Sequence, residues 1–546
     1  MASGEELAEV ELEVDEEPAN ESAAITSDRA VELVGFGSFH VWLTLILTLG
    51  NAADAVEVMS IGLVLPNLTH LSDADKGALT AAVFAGALVG AVAWGLAGDL
   101  VGRRPALVAS LLLNGLFALA SSAVGEHLGA LCLCRFFGGI GVAGANAVAF
   151  TLLPEFLPAS KRGVGVVVLA SGWMCGSVYS AAMGWIVIPK RGWRAFLAAA
   201  AAPALVAAAA AAARVPESPR FLCARGRSLE AAAVMRAVSR RTKHSRLREG
   251  FFFAADAGKA RVLRDARGGI QILAPARALA APARRAQFLA LAATWFALSF
   301  GWYGTMLWLP ESFARSARGA DTSQETLPVP RRVYLENLLV ALANAPGNVA
   351  SAFSVDAVGR VKTLLVGACG ACASALAFAG VAAARNGAVR DDGDPAGTNR
   401  WVAFVLCASL FNALSVGGWN ALDLLSAESF PTRARATALG VLGAVGRVGA
   451  FAGTSAMGIA VGREAEHEAS RPSRPSRLWA PFVVAAVAMA LAALAALFVA
   501  ETAGTRLGAV GDDADDAVDD DAGDDDAADS ATLLGRAASG SGREGC

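Results

Sequence analysis

GDLVGRRPAL (98–107) returns in looser form as VDAVGRVKTL (355–364). Asp99, Gly102 and Arg103 recur at Asp356, Gly359 and Arg360, each 257 residues further on. Two more stretches repeat. LLPEFLPASKRG (152–163) is echoed by SAESFPTRARA (426–436), with Glu155 and Glu428 273 residues apart. PESPR (216–220) is echoed by AETAGTR (500–506). Three paired features at similar offsets argue for two homologous halves related by a pseudo-two-fold axis along a membrane normal.

The composition between these markers is that of a membrane protein. Of 546 residues, 55% are hydrophobic and 17% charged, and the charges are clumped. Charge-free runs of about 20 residues recur, each long enough to cross a ~30 Å hydrocarbon core. Spans are expected near 39–66, 77–98, 105–124, 128–153, 163–188, 193–213, 286–310, 333–355, 362–384, 400–425, 435–461 and 479–500. They are rich in Gly, Ala and Ser, which lets helix backbones approach closely in lipid. The expected organisation is an acidic disordered tail (1–37), a six-helix bundle (38–213), a basic loop (214–285), a second six-helix bundle (286–500) and an acidic disordered tail (501–546).

The net charge of −3 hides strong segregation. Residues 1–37 carry eleven acids and one base, residues 501–546 thirteen acids and three bases, and residues 214–285 seventeen Lys/Arg and five acids. The acidic ends lack apolar residues to pack. The start of the chain has no basic region followed by a short apolar core, so the first span is expected to direct membrane insertion. Lys/Arg bias, decided by the large basic loop, places both termini in the cytoplasm. Plasma membrane and vesicle both fit. Of eight cysteines, Cys132, Cys134, Cys175, Cys369, Cys372 and Cys407 lie inside apolar spans and read as small helix residues, not as a disulfide or zinc framework. No P-loop and no clustered histidines appear, so neither ATP drive, a cofactor, a metal site nor an enzyme centre is expected. The arginine-rich stretch is a membrane loop, which excludes a nucleic-acid surface.

A short D-x-x-G-R-[KR] loop after span two, its looser copy D-x-x-G-R after span eight, and P-E-S-P-R after span six resemble the signatures of the major facilitator superfamily, most clearly its sugar-porter and organic-ion branches. GFGSFHVWL (35–43), ADAVEVMSIGLVLP (53–66), LSDADKGAL (71–79), RGVGVVVLASGWMCGSVYSAAMGW (162–185), VPESPRFL (215–222), WFALSFGWYG (295–304) and GGWNALDLLSAESFPT (417–432) are similar to the synaptic vesicle glycoprotein 2 group within it. The likeness runs through nearly all spans. It departs in one place: only residues 311–332 stand where that group carries a large glycosylated luminal insertion. The implied fold is an all-α membrane protein of the major facilitator type, with twelve transmembrane helices in two six-helix bundles. The implied activity is transport of a small organic solute by alternating access, as a monomer in the bilayer.

The resemblance implies gates at the ends of the spans. Asp99, Gly102, Arg103 and Arg104, with Asp356, Gly359 and Arg360, would bridge the halves when the inner side is closed. Glu155 with Arg162, and Glu428 with Arg433 or Arg435, would join the same networks. Charges inside spans cost several kcal/mol and are expected to face a cavity or a partner. Asp54 and Glu57, three apart, share a helix face. Two carboxylates so placed repel, which makes a proton or cation site. Trp419 and Asp423 share a face of span ten beside Asn420, and Arg447 on span eleven is a candidate partner for Asp423. Arg135, in RFFGGIGVAGAN, is similar to the superfamily's span-four arginine motif, associated with coupling.

Trp173, Trp302, Tyr303 and Trp419 match cavity-lining aromatics of those families, whereas Trp42, Trp193, Trp401 and Trp479 suit an interfacial belt. Aromatic faces with nearby carboxylates favour an organic cation or a sugar-like solute over an anion. Proton coupling and facilitated diffusion both fit. A different class of function also fits: a carrier-fold protein that does not transport and acts in vesicle trafficking or docking through its acidic tails. The sequon Asn67-Leu68-Thr69 lies so close to the membrane that it is expected to be unused.

Overall fold

The computed structural model describes residues 24–242, 245, 247, 252–253, 282–318, 328–384, 395–430, 432–470 and 479–502. Much of the two acidic tails therefore lies outside the described residues. The order begins with β1 (Ala24–Ile25), α1 (Ser27–Val34), α2 (Ser38–Val64), α3 (Asp73–Leu100), α4 (Arg103–Ala123), α5 (Leu128–Phe156), α6 (Ala159–Ala200) and α7 (Ala202–Arg214). Between the halves stand α8 (Pro219–Ala224), α9 (Ser228–Arg240) and β2 (Phe252–Phe253). The second half holds α10 (Pro282–Arg318), α11 (Arg331–Leu342), α12 (Asn344–Ala357), α13 (Arg360–Ala384), α14 (Pro395–Glu428), α15 (Thr432–Ser470) and α16 (Ala480–Ala496).

A backbone crossing hydrocarbon must pair its N–H and C=O groups internally, and helices do this segment by segment. Among the described residues, nine helical stretches are long and apolar enough to span a membrane. One of them, Ala159–Arg214, reverses at Gly192 (φ 79°) and crosses twice. The Tyr179 hydroxyl donates across that reversal to the carbonyl of Ala199 at 3.1 Å. With α10 and the 17-residue α16 the passes number twelve. Span eight is α11 followed by α12; the break falls where the Pro346 ring would meet the carbonyl of Leu342 four residues earlier.

Glycines set the closest contacts. A Cβ on Gly86 would lie 1.9 Å from the Phe136 carbonyl, and one on Gly139 2.0 Å from that of Val83, so α3 and α5 touch backbone to backbone. In the second half a Cβ on Gly347 would lie 2.4 Å from the Ala413 carbonyl, bringing α12 onto α14. The halves meet where Gly62 of α2 abuts the Leu307 backbone of α10, and where Gly77 of α3 faces Gly458 of α15. These contacts crowd the end of the bundle remote from residues 24 and 502. Outward faces carry apolar side chains such as Leu96, Leu116, Val206 and Phe498, suited to lipid.

Residues 24–37 correct the expectation of a tail disordered through residue 37. Thr26 caps α1 by accepting from the Arg29 N–H, and Ala30, Val31 and Val34 are buried. The helix packs on α8 and α9, and β1 pairs in parallel with β2. Arg220 donates to Asp28, and the backbone N–H of Ala159 donates to Glu32 at 2.6 Å. The acidic composition masked an apolar stripe of three residues at helical spacing. Within the basic stretch, α8 and α9 are likewise ordered and rest on the first half.

Candidate functional site

Aromatic rings from both halves meet around Tyr303 of α10. Its ring centroid lies 4.7 Å from Trp302, 4.9 Å from Phe84, 6.3 Å from Trp419 and 6.5 Å from Trp173, all near edge-on. Phe84 and Trp173 belong to the first half, the others to the second. Trp295, which the sequence reading did not single out for the site, packs 5.4 Å from Trp419. The indoles are oriented by hydrogen bonds. Trp302 donates to Asn412 Oδ1 at 3.2 Å, Asn412 donates to the Val340 carbonyl at 2.9 Å, and Trp295 donates to Ser426 Oγ at 2.9 Å. Asn420 donates to Asn348 Oδ1 at 3.0 Å and to Ser351 Oγ at 2.6 Å. One turn from Trp419, Asp423 is exposed, although Tyr303 lies within reach of its charge. Asp423 lies five residues before Glu428, toward the parted end of the span Trp401–Glu428, and an exposed carboxylate there faces a cleft between the halves.

A small pocket of about 60 Å³ continues beyond Trp302 toward the remote end, between α2, α6, α10 and α11. Ser177, Ser180, Asn337 and Asn344 line it and no charged group does. Ser180 Oγ and Asn344 Oδ1 are buried without a hydrogen-bonding partner.

Asp54 and Glu57 diverge. Asp54 is wholly buried, and its Oδ1 accepts from Asn114 of α4 at 3.3 Å while Oδ2 has no partner. Glu57 pairs with Arg135 of α5 at 2.9 Å, and the same Nη1 donates to the Glu57 carbonyl and to Ser60 Oγ, each at 3.1 Å. Nε and Nη2 of Arg135 are buried and unpartnered. The two carboxylates thus stand in the wall behind the cleft, held by two different helices, and not on its open face as the shared helical face suggested. Arg447 is half-buried on α15 and makes no ion pair with Asp423; Asp54 is the carboxylate whose charge reaches it.

The repeated loops build the same device twice. Gly102 (φ 124°) and Gly359 (φ 106°) turn the chain into α4 and α13. There Glu217 accepts from the N–H of Arg103 at 2.9 Å, and Glu501 accepts from the N–H of Arg360 and of Val361, each at 3.0 Å. A carboxylate at a helix N-terminus satisfies orphan donors and opposes the macrodipole. Any Cβ at these glycines would strike it, at 2.3 Å for Gly102 and 2.9 Å for Gly359. Arg103 pairs with Asp99 at 3.0 Å and Glu155 at 3.8 Å; Arg360 pairs with Asp356 and Glu428, each at 3.3 Å. Arg162 and Arg435 donate to the carbonyls of Leu157 and Phe430 at 3.0 and 3.1 Å. Arg104 donates to the Ala212 carbonyl at 2.7 Å. Every one of these bonds stays within its own half, so none bridges the halves in this conformation. The side chain of Arg433 lies outside the described residues.

A lock the sequence did not disclose closes the remote end. Lys76 of α3 and Glu311 of α10, both buried, pair across the halves at 2.9 Å. Arg315 donates to Glu311 at 2.9 Å and also pairs with Asp73. Beside it, Asn67 Nδ2 donates to the Tyr334 hydroxyl at 2.9 Å and to the carbonyls of Leu63 and Val64, each at 3.4 Å. The sequon asparagine is thus a seal residue. Of the expected belt, Trp42 and Trp401 stack under Arg214 and Arg332 at 5.4 and 4.6 Å, while Trp193 is buried.

Two pseudo-symmetric helical halves, joined at one end and parted at the other around an aromatic cleft, define a multi-pass membrane protein of the major facilitator architecture. The chain belongs to the sugar (and other) transporter family, which it matches over residues 48–513. Over 220 residues it is 37% identical to synaptic vesicle glycoprotein 2A of Rattus norvegicus, covering 37% of this chain and 29% of that one. The chain thus spans under a third of that relative's length. It is 26% identical over 463 residues to organic cation/carnitine transporter 7 of Arabidopsis thaliana, covering 79% of this chain and 87% of that one. Among solved structures it is similar to the partially occluded inward-open conformation of the xylose transporter XylE from E. coli. The TM-score is 0.63 at 19% identity, covering 86% of this chain and 100% of that one. At that identity the likeness is one of fold.

Proposed function

We propose that this protein is a secondary carrier of a small organic solute, an organic cation or a sugar-like molecule, working by rocking of the two halves about the Tyr303 cluster. The observation that carries the reading is the convergence of Trp173, Trp302, Tyr303 and Trp419 beside the exposed Asp423. Flat π faces stack on sugar rings and attract organic cations, and the neutral pocket beyond Trp302 offers hydroxyl and amide groups to a polar solute. Lys/Arg bias puts the parted end, with both termini, in the cytoplasm, so this conformation faces inward.

The Glu57–Arg135 pair and the neighbouring Asp54 supply a proton route. Asp54 Oδ2 lacks a donor and can hold a proton, and the charge of Arg447 reaches it from the opposite half. Asp54→Asn is therefore expected to remove the pH dependence of transport. Unchanged pH dependence in that variant would sink the coupling role.

The test of the whole reading is a thermal-shift and uptake panel of hexoses, polyols, organic cations and organic anions, repeated with Trp419→Ala and Asp423→Asn. A solute that stabilises and enters with the native protein but with neither variant supports a solute site here. No shift across the panel, with function lost on removing residues 1–23 and 503–546, would favour the docking role.

A further inference from the structure

At the parted end, on the rim of the first half, two exposed arginines meet no carboxylate among the described residues. Arg214 ends α7 and lies over the indole of Trp42 on α2, 5.4 Å from the ring centroid, and that indole is 56% exposed. Arg104 donates to the Ala212 carbonyl at 2.7 Å, which holds its guanidinium at the same helix end, two residues from Arg214. Glu217, three residues on, is taken up by the backbone N–H groups of Arg103, Arg104 and Ser218. Arg241 stands at this level too: its carbonyl accepts from Ser38 Oγ at 2.9 Å, and Ser38 lies one turn before Trp42 on the same face of α2. Further along, toward the hydrocarbon, α2 packs on α7 and the two helices expose Leu45 and Val206.

The fold does not require these arginines. The 257-residue step from Arg103 to Arg360 takes Arg104 to Val361, and the 284-residue step from Glu217 to Glu501 takes Arg214 to Phe498. The second half thus closes the same turn with a glutamate while carrying two apolar residues in those places. Its Lys362 stands about 100° further round the helix from Val361. Arg332, which also lies over a tryptophan, takes Glu336 as its partner at 3.1 Å. Positive charge at cytoplasmic helix ends sets topology, but topology does not ask for two guanidiniums around an exposed indole in one half alone.

We propose that Arg104, Arg214 and Trp42 form a binding site for the phosphate of an anionic glycerophospholipid of the cytoplasmic leaflet, whose acyl chains lie along Leu45 and Val206. The site is outside the cleft and is independent of which solute is carried. A guanidinium presents a planar fork that matches phosphate oxygens with parallel N–H donors. A tryptophan at headgroup depth holds its ring among the lipid carbonyls, and here it also carries one of the guanidiniums. Two cations with no acid between them favour a headgroup with net negative charge over one that brings its own ammonium.

The experiment titrates the full-length protein, in a neutral detergent, with dioleoyl phosphatidylglycerol or dioleoyl phosphatidylcholine and reads each bound lipid by native mass spectrometry. Phosphatidylglycerol should bind its first site about tenfold or more tightly than phosphatidylcholine. Arg214→Gln, which breaks no hydrogen bond among the described residues, should weaken the phosphatidylglycerol site about fivefold, and the double variant with Arg104→Gln about 25-fold. Trp42→Leu should weaken it roughly two- to fivefold. Lys362→Gln, which removes a charge from the matching end of the second half, should leave it unchanged. Equal affinity for the two lipids, the result expected if the acidic ends of the chain cover the arginines, overturns the proposal. An equal loss in Lys362→Gln and Arg214→Gln overturns it in favour of diffuse attraction by the whole cytoplasmic face. Displacement of the lipid by glycerol 3-phosphate at the lipid's own Kd overturns it in favour of a soluble phosphate.

Discussion

Replacing Glu311 with Gln removes the shared carboxylate of the remote lock. Lys76 and Arg315 both bond Glu311 Oε1 at 2.9 Å, and the side chains of Lys76 and Glu311 are only 6% and 3% exposed. Breaking a buried pair by removing one partner costs about 3–5 kcal/mol, because the remaining charge stays buried. Here two cations would be left with Asp73 alone. That cost falls on the conformation with the lock closed and is relieved when the end opens to water. Even the lower figure of about 3 kcal/mol would move the balance roughly a hundredfold toward the opposite-facing state. Hydrogen exchange read by mass spectrometry suits the question, since a rocking motion changes the two ends in opposite senses. In Glu311→Gln, backbone near 73–77 and 311–315 should exchange faster, while backbone near 99–104 and 356–361 should exchange more slowly. Faster exchange at both ends would mean general loosening, and unchanged exchange at the remote end would mean that the lock does not hold it; either refutes the reasoning.

Three further outcomes follow from the geometry. Gly102→Ala should lower thermal stability by about 1–3 kcal/mol, through positive-φ strain and collision with Glu217; the double variant with Glu217→Ala should recover the collision part, and strict additivity in the melting data would contradict it. Gly86→Val should prevent α3 from seating on α5 and sharply reduce the yield of folded protein by size-exclusion chromatography, whereas Gly95→Ala, whose Cβ meets nothing within 4 Å, should be silent. Asn67→Gln should leave electrophoretic mobility unchanged in a glycosylating host, because its amide is bonded to Tyr334; a mobility shift would show that the seal opens to the transferase.

The twelve passes and the doubled halves were legible because they depend on one-dimensional signals: apolar run length and a motif that repeats. The central aromatic residues were legible for a related reason, since they sit in stretches dense with family likeness. What failed depended on partners far apart in sequence. Lys76 and Glu311 are 235 residues apart, and each alone reads as a charge near a helix end. Glu217 and Glu501 stood in recognised repeats, yet nothing in their spacing says that they close the turn after Gly102 and Gly359. For Asp54 and Glu57, the three-residue offset gave the face correctly, but Asn114 and Arg135 come from different helices and divide it. The expected Asp423–Arg447 pair is not formed: Asp423 is exposed, and the carboxylate whose charge reaches Arg447 is Asp54 of the other half. At the N-terminus, average composition outweighed a short stripe, and α1 was missed.

The glutamates that close the turns at Gly102 and Gly359 have a mechanical consequence. Each belongs to the stretch just after the last helix of its half and grips the start of that half's third span, so each bundle is cinched into a closed ring. A cinched bundle moves as one lever. Stiffness within the levers confines deformation to the seam between them. Because the arginines at the parted end are already held by their own bundle, swinging that end shut begins from no broken bond there, and the work of the stroke is concentrated at the fulcrum and at the buried lock beyond it. Added salt, which weakens exposed charge pairs but reaches buried ones far less, should therefore change the rate of the stroke little.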